Sequence, residues 1–577
     1  MLPNLDNEIG SGAYGTIYGT SDDKVVFKKF KSCDEGLPID FLRELCSIKK
    51  LSQSSKCVNI IDISTDPENL GYSMPKFKQD LTMFRRKSQR KNHPNHSAKS
   101  ILYQLLEGLF AASEASISHR DIKPANILMS DTDIVICDWG ISRFMGGNDP
   151  GVFTNSVQTL WWRSPELLLG TQKYGSAIEI WSAGVIMCEL LIKKPFLTGN
   201  TDIDQLFKIF KVFGTPSKES WPDIEDYAHF KTTFPKWKKQ NLRSVLRKPT
   251  KKYTSKKPHK KLRYSRRTKF RKLRKRWKSF RKSRKKEVQR RIQQRPLRIP
   301  AECIDLLEKM LAMNPKDRID VVGALNHQYF DDIRQDTFTA STPLGKMRKL
   351  NPTLEESPIN YFCEQDDINN SMRIILFDWL IEVTFRFRSH TSTLFLAFSY
   401  IDRYLDKKIV KRTHLQLVGI TCFLIASKID ELHPCHIGDC VYICDRAYPV
   451  DQLENMEIDI VTTLSYDLYI PTEYTYMSIL SKRLPTPLPF DFNKALYYLY
   501  ISIYNDDFMS IPKENIAKSS ILLAQWVKED SDESILPMLP DLVSKIKEYD
   551  ENGKGKILEK FRTILRKKFS DKKIPSL

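Results

Sequence analysis

The sequence predicts an α+β region followed by an all-α region in one chain of 577 residues. Two patterns support this fold class. Near the start, a glycine-rich turn lies among β-branched residues, and short buried-strand runs such as 134–137 alternate with helical stretches. From about Ser357 onwards, apolar residues recur at helical spacing and strand signals are few. A hydrophobic content of 41% allows each half its own core.

The α+β region opens with a glycine-rich turn between two predicted strands. Its residues are Ile9, Gly10, Gly12, Gly15 and Ile17. Glycines at this spacing let the backbone close over phosphates without Cβ atoms in the way. A strand that ends in Lys28 and a helix that carries Glu44 follow, and such a Lys–Glu pair can hold the α- and β-phosphates of ATP. Taken singly, these features also fit an ordinary hairpin and two surface charges.

Two further motifs contain residue types suited to phosphoryl transfer. The run 119–126 reads His-Arg-Asp-Ile-Lys-Pro-Ala-Asn, in which Asp121 can accept the proton of a substrate hydroxyl and Asn126 can bind magnesium. After the strand run 134–137, Asp138 begins Asp-Trp-Gly and supplies a carboxylate as the second metal ligand. The three motifs stand in the order and spacing of protein kinases, which this region therefore resembles.

Other segments make the region similar to the cyclin-dependent kinases in particular. Residues 38–44 read Pro-Ile-Asp-Phe-Leu-Arg-Glu, where that family carries the pattern P-S-T-A-I-R-E. Residues 159–166 read Thr-Leu-Trp-Trp-Arg-Ser-Pro-Glu, and residues 214–216 read Gly-Thr-Pro, both as in that family. The resemblance runs to about residue 237 and resumes at about 296.

This resemblance implies an α+β bilobal protein kinase fold for residues 1–333, interrupted by a basic insertion at about 238–298. It implies that Asp121 is the catalytic base and that Lys123 steadies the transferred phosphate. The residues expected to contact ATP are those of the glycine-rich turn together with Lys28, Glu44 and Leu128. Magnesium is expected to bind Asn126 and Asp138. Because phosphoryl transfer needs mainly positioning and charge neutralisation, each role is a charge in a fixed place.

Regulation by phosphorylation also follows from the resemblance. Thr154 stands where the family carries its activating phosphothreonine, with Ser156 as a nearby competitor. The arginines expected to receive that phosphate are Arg43, Arg120 and Arg143. A phosphate of about −2 charge makes short hydrogen bonds to guanidinium groups and so orders a loop.

Several positions depart from the kinase pattern. Trp139 replaces the usual Phe after the metal-binding Asp, and Glu179 replaces an Asp two residues before Trp181. Gln158 replaces an apolar residue near the pocket for the proline that follows the target Ser or Thr, which weakens the expectation of proline-directed specificity. Tyr14 remains where relatives accept an inhibitory phosphate, so inhibition of that kind would act through Tyr14.

The positive charge of the chain is concentrated in the insertion. The net charge is +22, but residues 238–286 contain 26 Lys and Arg and no acidic residue, which leaves 66 basic and 70 acidic residues elsewhere. Self-repulsion in such a run predicts disorder when the segment is free. Apolar residues at three- and four-residue spacing would still give one stripe on a cationic helix that forms on a polyanion; they are Phe270, Leu273, Trp277 and Phe280.

Three interpretations of the insertion remain open. It could bind nucleic acid or another polyanion, act as a localisation signal, or be a solvated loop without function. The first predicts salt-dependent binding with little base preference, because the charges meet phosphates rather than base edges. We expect an intracellular protein without a membrane span, since the longest apolar runs reach about half of the roughly 20 residues that a span needs. A nuclear or nucleic-acid-associated compartment would suit the insertion.

The all-α region resembles the cyclin box, and the mitotic A- and B-type cyclins fit best. Residues 372–380, 400–405 and 424–428 match that family in order. The resemblance implies an all-α cyclin fold with a box at 357–470 and a second cyclin-like repeat at 471–550. A linker at 334–356 would precede the box, and a charged tail at 551–577 would end the chain.

Two sets of cyclin-type residues are implied. Lys428 and Glu457 are the pair expected to grip the kinase near its mobile helix, and the supporting box residues are Arg373, Asp402 and Leu417. A groove that recruits Arg-x-Leu peptides would comprise Met372, Ile375, Leu376, Trp379, Glu382 and Gln416. The apolar members of that groove could instead be plain core.

These features together predict a self-activated Ser/Thr kinase that acts on proteins with Ser/Thr-Pro sites. A linker of about 25 residues spans up to roughly 80 Å when extended, so docking within one chain is sterically feasible. Tethering by a short flexible linker gives an effective concentration of order mM, so no separate cyclin would be needed. The alternative is a catalytically weak scaffold that binds nucleic acid through the insertion and peptides through the groove.

Overall fold

The structure, a computed structural model, describes residues 7–12, 15–88, 97–145, 157–247, 299–337, 362, 364–483, 491–504 and 508–526. Two parts follow one another along the chain: a two-lobed α+β part, called here the first domain, and a helical part from residue 364 onwards, called the second domain. The predicted fold class is therefore confirmed. Among the described helices none is both long and apolar enough to cross a membrane.

The first lobe is built on an antiparallel sheet. Its strands are β1 (Glu8–Ser11), β2 (Gly15–Gly19), β3 (Val25–Phe30), β4 (Asp62–Ser64) and β5 (Gly71–Pro75), in the spatial order β1-β2-β3-β5-β4. Helix α1 (Ile39–Lys50) packs beside this sheet. Phe41, Leu42 and Leu45 are fully buried on it, and so is Glu44. A helix buried on several faces must be covered from more than one side, and the second domain supplies the outer cover.

The second lobe is mainly helical. Its helices are α2 (Leu81–Ser88), α3 (Ala98–Glu114), α4 (Pro165–Leu168), α5 (Ala177–Ile192), α6 (Asp202–Phe213), α7 (Leu242–Arg247), α8 (Ala301–Met310), α9 (Val321–Leu325) and α10 (Asp331–Thr337). Short strands lie where the two lobes meet: β6 (Gln79–Asp80), β7 (Ile117–Ser118), β8 (Ile127–Met129), β9 (Ile134–Ile136) and β10 (Arg143–Phe144). Strands β6, β8 and β9 form one sheet, and β10 pairs with β7.

The start of the predicted insertion is a packed part of the second lobe. Leu242 and Leu246 of α7 are buried, and the helix packs against α5 and α8. The rest of the predicted insertion, including its apolar stripe, lies outside the described residues, as does the predicted linker after α10.

The second domain is helical throughout its described length. Its helices are α11 (Asn370–Phe387), α12 (Thr391–Leu405), α13 (Leu415–Asp430), α14 (Ile437–Ile443), α15 (Val450–Thr463), α16 (Glu473–Arg483), α17 (Phe492–Tyr504) and α18 (Lys513–Trp526). Helix α13 is buried almost along its whole length because α11, α12, α14 and α15 surround it. Its C-terminal end contacts α1 of the first domain, where Arg43 bonds the Lys428 carbonyl. The predicted tail and the end of the predicted second repeat lie outside the described residues.

Candidate active site

A buried lysine links a strand, a helix and the Asp-Trp-Gly segment. Lys28 Nζ on β3 lies 2.6 Å from Glu44 Oε2 on α1 and 3.0 Å from Asp138 Oδ1. Burial alone would lower the pKa of Lys28, but the Glu44 and Asp138 carboxylates outweigh it and raise that pKa. Lys28 is therefore a fixed, buried positive charge between β3, α1 and the Asp-Trp-Gly segment. The predicted Lys28, Glu44 and Asp138 thus come together in one cluster.

A tyrosine that sequence reasoning missed completes this cluster. Tyr72 lies opposite Lys28 in the β3–β5 register, and its hydroxyl donates a hydrogen bond of 2.8 Å to Glu44 Oε1. Glu44 is therefore held from two strands of the sheet at once. No motif marks Tyr72, because its role follows from a pairing between strands that are far apart along the chain.

The catalytic-loop motif forms a second cluster around Asp121. Asp121 Oδ2 accepts a hydrogen bond from Lys123 Nζ at 2.5 Å. Its other oxygen, Oδ1, accepts from the backbone N–H and the hydroxyl of Thr159, each at 2.8 Å. The Asn126 amide nitrogen donates to the Asp121 carbonyl at 3.0 Å. The carboxylate is thereby oriented, as a base that accepts a proton must be. Sequence reasoning did not predict the part played by Thr159.

The described oxygen groups suit Mg²⁺. Because the Asn126 amide nitrogen is the atom bonded to the loop, its amide oxygen is left to bind a cation. Burial would raise the pKa of Asp138, but Lys28 outweighs it and lowers that pKa, so the side chain is a carboxylate. A carboxylate and an amide oxygen are hard ligands of the kind that Mg²⁺ takes beside nucleotide phosphates.

The other residues predicted to contact ATP lie on or beside strands of the first lobe and of the region where the lobes meet. In the glycine-rich turn the Gly12 N–H donates to the Gly15 carbonyl at 2.8 Å, while Tyr14 lies outside the described residues. The remaining positions are Ile9 and Gly10 on β1, Ile17 on β2 and Leu128 on β8. Gly15 needs its hydrogen side chain, because a Cβ there would lie 2.4 Å from the Lys29 carbonyl oxygen.

Two of the departures from the kinase pattern support the catalytic loop. Trp139 is fully buried, and its ring centroid lies 4.5 Å from that of His119 in the loop. Glu179 reaches the loop from α5, where its carboxylate accepts hydrogen bonds from the backbone N–H of His119 at 2.5 Å and of Arg120 at 3.2 Å. The longer arm of Glu179 therefore keeps contact with the loop backbone.

The third departure, Gln158, has a conformation of its own. Its φ of 65° lies in the left-handed region, and its carbonyl accepts hydrogen bonds from Arg163 Nε at 3.2 Å and Nη2 at 2.9 Å. Its side-chain amide is buried, where it donates to Ser182 Oγ at 3.0 Å and accepts from the Ser164 N–H at 2.9 Å. The polar side chain therefore points into the protein and is satisfied there.

The second domain grips the loop that leads into α1. Lys428 Nζ on α13 lies 2.6 Å from Glu457 Oε1 on α15, and both side chains are buried. Lys428 also donates to the carbonyls of Glu35 at 2.7 Å and Leu37 at 3.0 Å. Glu457 Oε2 accepts the Leu37 N–H at 2.8 Å. The predicted Lys428–Glu457 pair thus contacts the backbone immediately before α1.

Two of the three predicted phosphate-binding arginines bind the C-terminal end of α13. Arg43 Nη2 donates to the Lys428 carbonyl at 2.7 Å, and Arg143 donates to the Ile429 and Glu431 carbonyls at 2.7 and 2.6 Å. The last carbonyls of a helix lack intrahelical partners and carry partial negative charge, so guanidinium groups suit them.

The cluster of Arg43, Arg120 and Arg143 can bind a further hydrogen-bond acceptor. The buried Nε atoms of Arg43 and Arg143 have no hydrogen-bond partner among the described residues. Burial lowers the pKa of Arg43, and the adjacent Arg143 guanidinium lowers it further. Arg120 Nε donates to the Ile141 carbonyl at 2.7 Å. Crowded cations of this kind favour an added anion. Thr154 and Ser156 lie outside the described residues.

The remaining predicted residues lie within the second domain. Arg373 forms two hydrogen bonds with Asp402, at 2.8 and 2.7 Å, which tie α11 to α12. Leu417 is buried in α13. A groove of about 560 Å³ lies on α11 and the start of α13, lined by Met372, Ile375, Leu376, Trp379, Arg412, Thr413, Leu415 and Gln416. Ile375 there is 68% exposed, whereas Leu376 is mostly core; Glu382 is exposed on the same helix.

Comparison with known families matches both parts of the chain. Residues 4–330 match the family described as protein kinase domain. Residues 347–469 match the family described as cyclin, N-terminal domain.

Proposed function

This chain belongs to the protein kinase family, and on that basis we propose that it is a cyclin-dependent-type Ser/Thr kinase activated in cis by its own cyclin domain. Its reaction is transfer of the ATP γ-phosphate to Ser or Thr in protein substrates. The observation that carries the proposal is the placement of α1. Glu44 of this helix reaches Lys28, while Lys428 and Glu457 of the cyclin domain hold the loop before it.

Each charged group then has one task. Lys28 neutralises ATP phosphates, and Asn126 and Asp138 hold Mg²⁺, which supplies charge neutralisation at the phosphates. Asp121 accepts the proton of the substrate hydroxyl, and Lys123, 2.5 Å from it, offsets charge on the transferred group.

Proline-directed specificity is supported by the backbone at Gln158. The substrate residue that follows the target Ser or Thr is buried against the kinase. If its backbone has an N–H, that N–H needs a hydrogen-bond acceptor there. The Gln158 carbonyl is already taken by Arg163, so it is a poor acceptor for that N–H. Proline has no N–H and avoids this cost. Because the backbone carbonyl of Gln158 disfavours a residue with an N–H, the polar side chain of Gln158 is compatible with a preference for Ser-Pro and Thr-Pro sites.

Phosphorylation of Thr154 is proposed to complete activation. Arg43 and Arg143 each retain a buried Nε without a partner among the described residues. A phosphate beside them would supply acceptors for those groups and would relieve the repulsion between the guanidinium groups. An inhibitory phosphate on Tyr14 remains a further proposal from the family resemblance.

Substrate recruitment is assigned to two other surfaces. The groove around Ile375 and Trp379 is apolar and open, which suits Arg-x-Leu peptides of protein substrates. The basic segment 238–286 is proposed to bind nucleic acid or another polyanion, which would favour a nuclear or nucleic-acid-associated location. Deleting residues 248–298, which leaves α7 in place, should then weaken binding to DNA and RNA; unchanged affinity would remove this part of the proposal.

The decisive experiment is a kinase assay on the purified single chain without added cyclin. Radiolabelled phosphate from ATP should appear on a Ser-Pro peptide more than on the matched Ser-Ala peptide. The Asp121→Asn protein is the control and should be inactive. If that variant retained activity, or if the natural chain were active only with added cyclin, the proposal would fail.

Activation in cis predicts a concentration-independent specific activity. Each molecule carries its own activator, so dilution of the enzyme should not reduce turnover per molecule. Docking onto a neighbouring chain would give an activity that falls on dilution and an active species that sediments as a dimer or larger.

A further inference from the structure

Tyr469 of the cyclin domain lies where three catalytic parts of the kinase domain meet. It follows α15 in the chain, and its side chain is 1% exposed. Its ring stacks on Phe144 of β10, with centroids 5.8 Å apart and an interplanar angle of 18°. Strand β10 pairs with β7, which leads into the catalytic loop. The ring therefore contacts the strand pair that positions Asp121.

Two kinase-domain serines form a short buried contact beside this tyrosine. Ser47 lies one turn after Glu44 on α1, and Ser142 lies four residues after Asp138. Their hydroxyl oxygens are 2.5 Å apart, and both side chains are fully buried. This contact joins the helix that carries Glu44 directly to the segment that carries Asp138.

Counting hydrogens gives this contact a direction. The Ser47 hydroxyl donates to the Arg43 carbonyl at 2.8 Å, so its one hydrogen is used. The hydrogen between the two serines must then come from Ser142. The Ser142 oxygen keeps a lone pair that can accept a hydrogen bond. A donor there would complete a row of hydrogen bonds that runs through Ser142 and Ser47 to the Arg43 carbonyl.

The Tyr469 hydroxyl is the available donor. It is buried, and it has no hydrogen-bond partner among the described residues. Burial raises the pKa of this phenol, and the neighbouring Ser142 and Ser47 hydroxyls oppose the rise. A buried hydroxyl left without a hydrogen bond is destabilising, so closing the row is favourable.

We propose that Tyr469 is a positioning residue for phosphoryl transfer: its hydroxyl donates to Ser142, Ser142 donates to Ser47, and Ser47 donates to the Arg43 carbonyl. Through this row the cyclin domain holds α1 against the segment after Asp138, and the stacked ring holds β10. Tyr469 thus acts on Glu44 and Asp138 together, whereas Lys428 and Glu457 act on the loop before α1. The proposal rests on activation in cis by the cyclin domain.

The test compares two buried tyrosines of the cyclin domain in the full chain. Tyr469→Phe removes the proposed donor without adding an atom. Tyr404→Phe is the matched control, because the Tyr404 hydroxyl bonds Asp459 within the cyclin domain at 2.5 Å. The measurements are kcat, KM for ATP and the midpoint of thermal unfolding. Tyr469→Phe should lower kcat/KM by about 2–10-fold, the range for one hydrogen bond, whereas Tyr404→Phe should keep kcat/KM even where it lowers the midpoint.

A double variant distinguishes a connected row from independent packing. Ser142→Ala should lower kcat/KM to a similar degree, and Tyr469→Phe with Ser142→Ala should fall no further than the larger single effect. Ser47→Ala replaces Ser142→Ala if that variant does not fold. The proposal would be overturned if the fold-losses of Tyr469→Phe and Ser142→Ala multiplied in the double variant. Equal activities of Tyr469→Phe and Tyr404→Phe would also overturn it. An inactive natural chain would instead reject the proposed kinase function, so the two failures are distinguishable.

Discussion

Two buried lysine–glutamate pairs hold α1 and the loop before it, and they use the same chemistry in different surroundings. Lys28 lies 2.6 Å from Glu44, and Lys428 lies 2.6 Å from Glu457. Both glutamates have fully buried side chains. The first pair lies within the kinase domain, and the second lies in the cyclin domain beneath the loop before the helix.

The difference is in the third partners. Around Lys28 and Glu44 these are the side chains of Asp138 and Tyr72. Around Lys428 and Glu457 they are backbone groups of residues 35–37. The first pair therefore depends on which side chains are present, whereas the second recognises the shape of a loop. Chemistry and docking can accordingly be broken separately.

The largest effect is expected at the catalytic pair. Lys28→Met removes a cation and leaves the Glu44 and Asp138 carboxylates without it, so turnover should fall by about 10²-fold or more, as when one group is removed from a preorganised charged site. Transfer of radiolabelled phosphate to a Ser-Pro peptide measures this. Lys29→Met, the next residue on β3, is the control and should stay near the natural activity. Similar activities of the two variants would contradict the assignment.

A smaller but still large effect is expected at the docking pair. Glu457→Ala leaves Lys428 charged and buried, which typically costs about 3–5 kcal/mol, so activity should fall while the ATP site stays intact. Lys428→Met with Glu457→Leu removes both charges and should be milder than the single change. The control is Lys408→Ala, which breaks an exposed pair with Asp459. Activity of Glu457→Ala equal to that of the control would count against docking.

The catalytic pair could be predicted from the sequence because its members belong to local motifs. Asp121, Asn126 and Asp138 stand at fixed spacings, and Lys28 and Glu44 lie on a recognisable strand and helix. The helical second domain was likewise readable from spacing. Residue type and separation along the chain are enough wherever the chemistry is carried within one segment.

Residues that bond a distant segment of the chain could not be predicted in that way. Tyr72 and Thr159 act through contacts between parts of the chain that are distant in sequence. Gln158 weakened the expectation of proline-directed specificity, but a comparison of side chains does not reveal that its backbone is left-handed or that its carbonyl accepts a hydrogen bond from Arg163. Which arginines bind carbonyls of α13 also depends on how the two domains meet.

Loop shape should matter at the docking pair more than side chains do. Gly36 has a φ of 73°, and a Cβ there would lie 2.3 Å from Glu457 Oε2. Gly36→Ala should therefore cost about 1–2 kcal/mol for the backbone conformation, and more for displacing Glu457, and it should lower activity by roughly tenfold or more. Gly438→Ala in α14 is the control, because a Cβ there meets nothing within 4 Å. Equal activities of the two variants would show that docking of the cyclin domain does not depend on the shape of this loop.

The smallest effect is expected at Tyr72. Tyr72→Phe removes one hydrogen bond to Glu44, but Lys28 still bonds both Glu44 oxygens, so kcat/KM for ATP should fall only about 2–10-fold. Tyr103→Phe, a buried tyrosine of α3, is the control and should leave kcat/KM unchanged. A Tyr72→Phe protein as active as this control would show that Lys28 alone fixes Glu44.

Combining variants separates the two pairs most sharply. Gly36→Ala acts through Glu457, so adding it to Glu457→Ala should cause little further loss of activity. Tyr72→Phe acts inside the kinase domain, so its fold-loss should persist in the Glu457→Ala background. If the Tyr72→Phe loss instead vanished once Glu457 was removed, Glu44 would reach Lys28 only while the cyclin domain is docked, and the two pairs would be one coupled unit rather than two separable ones.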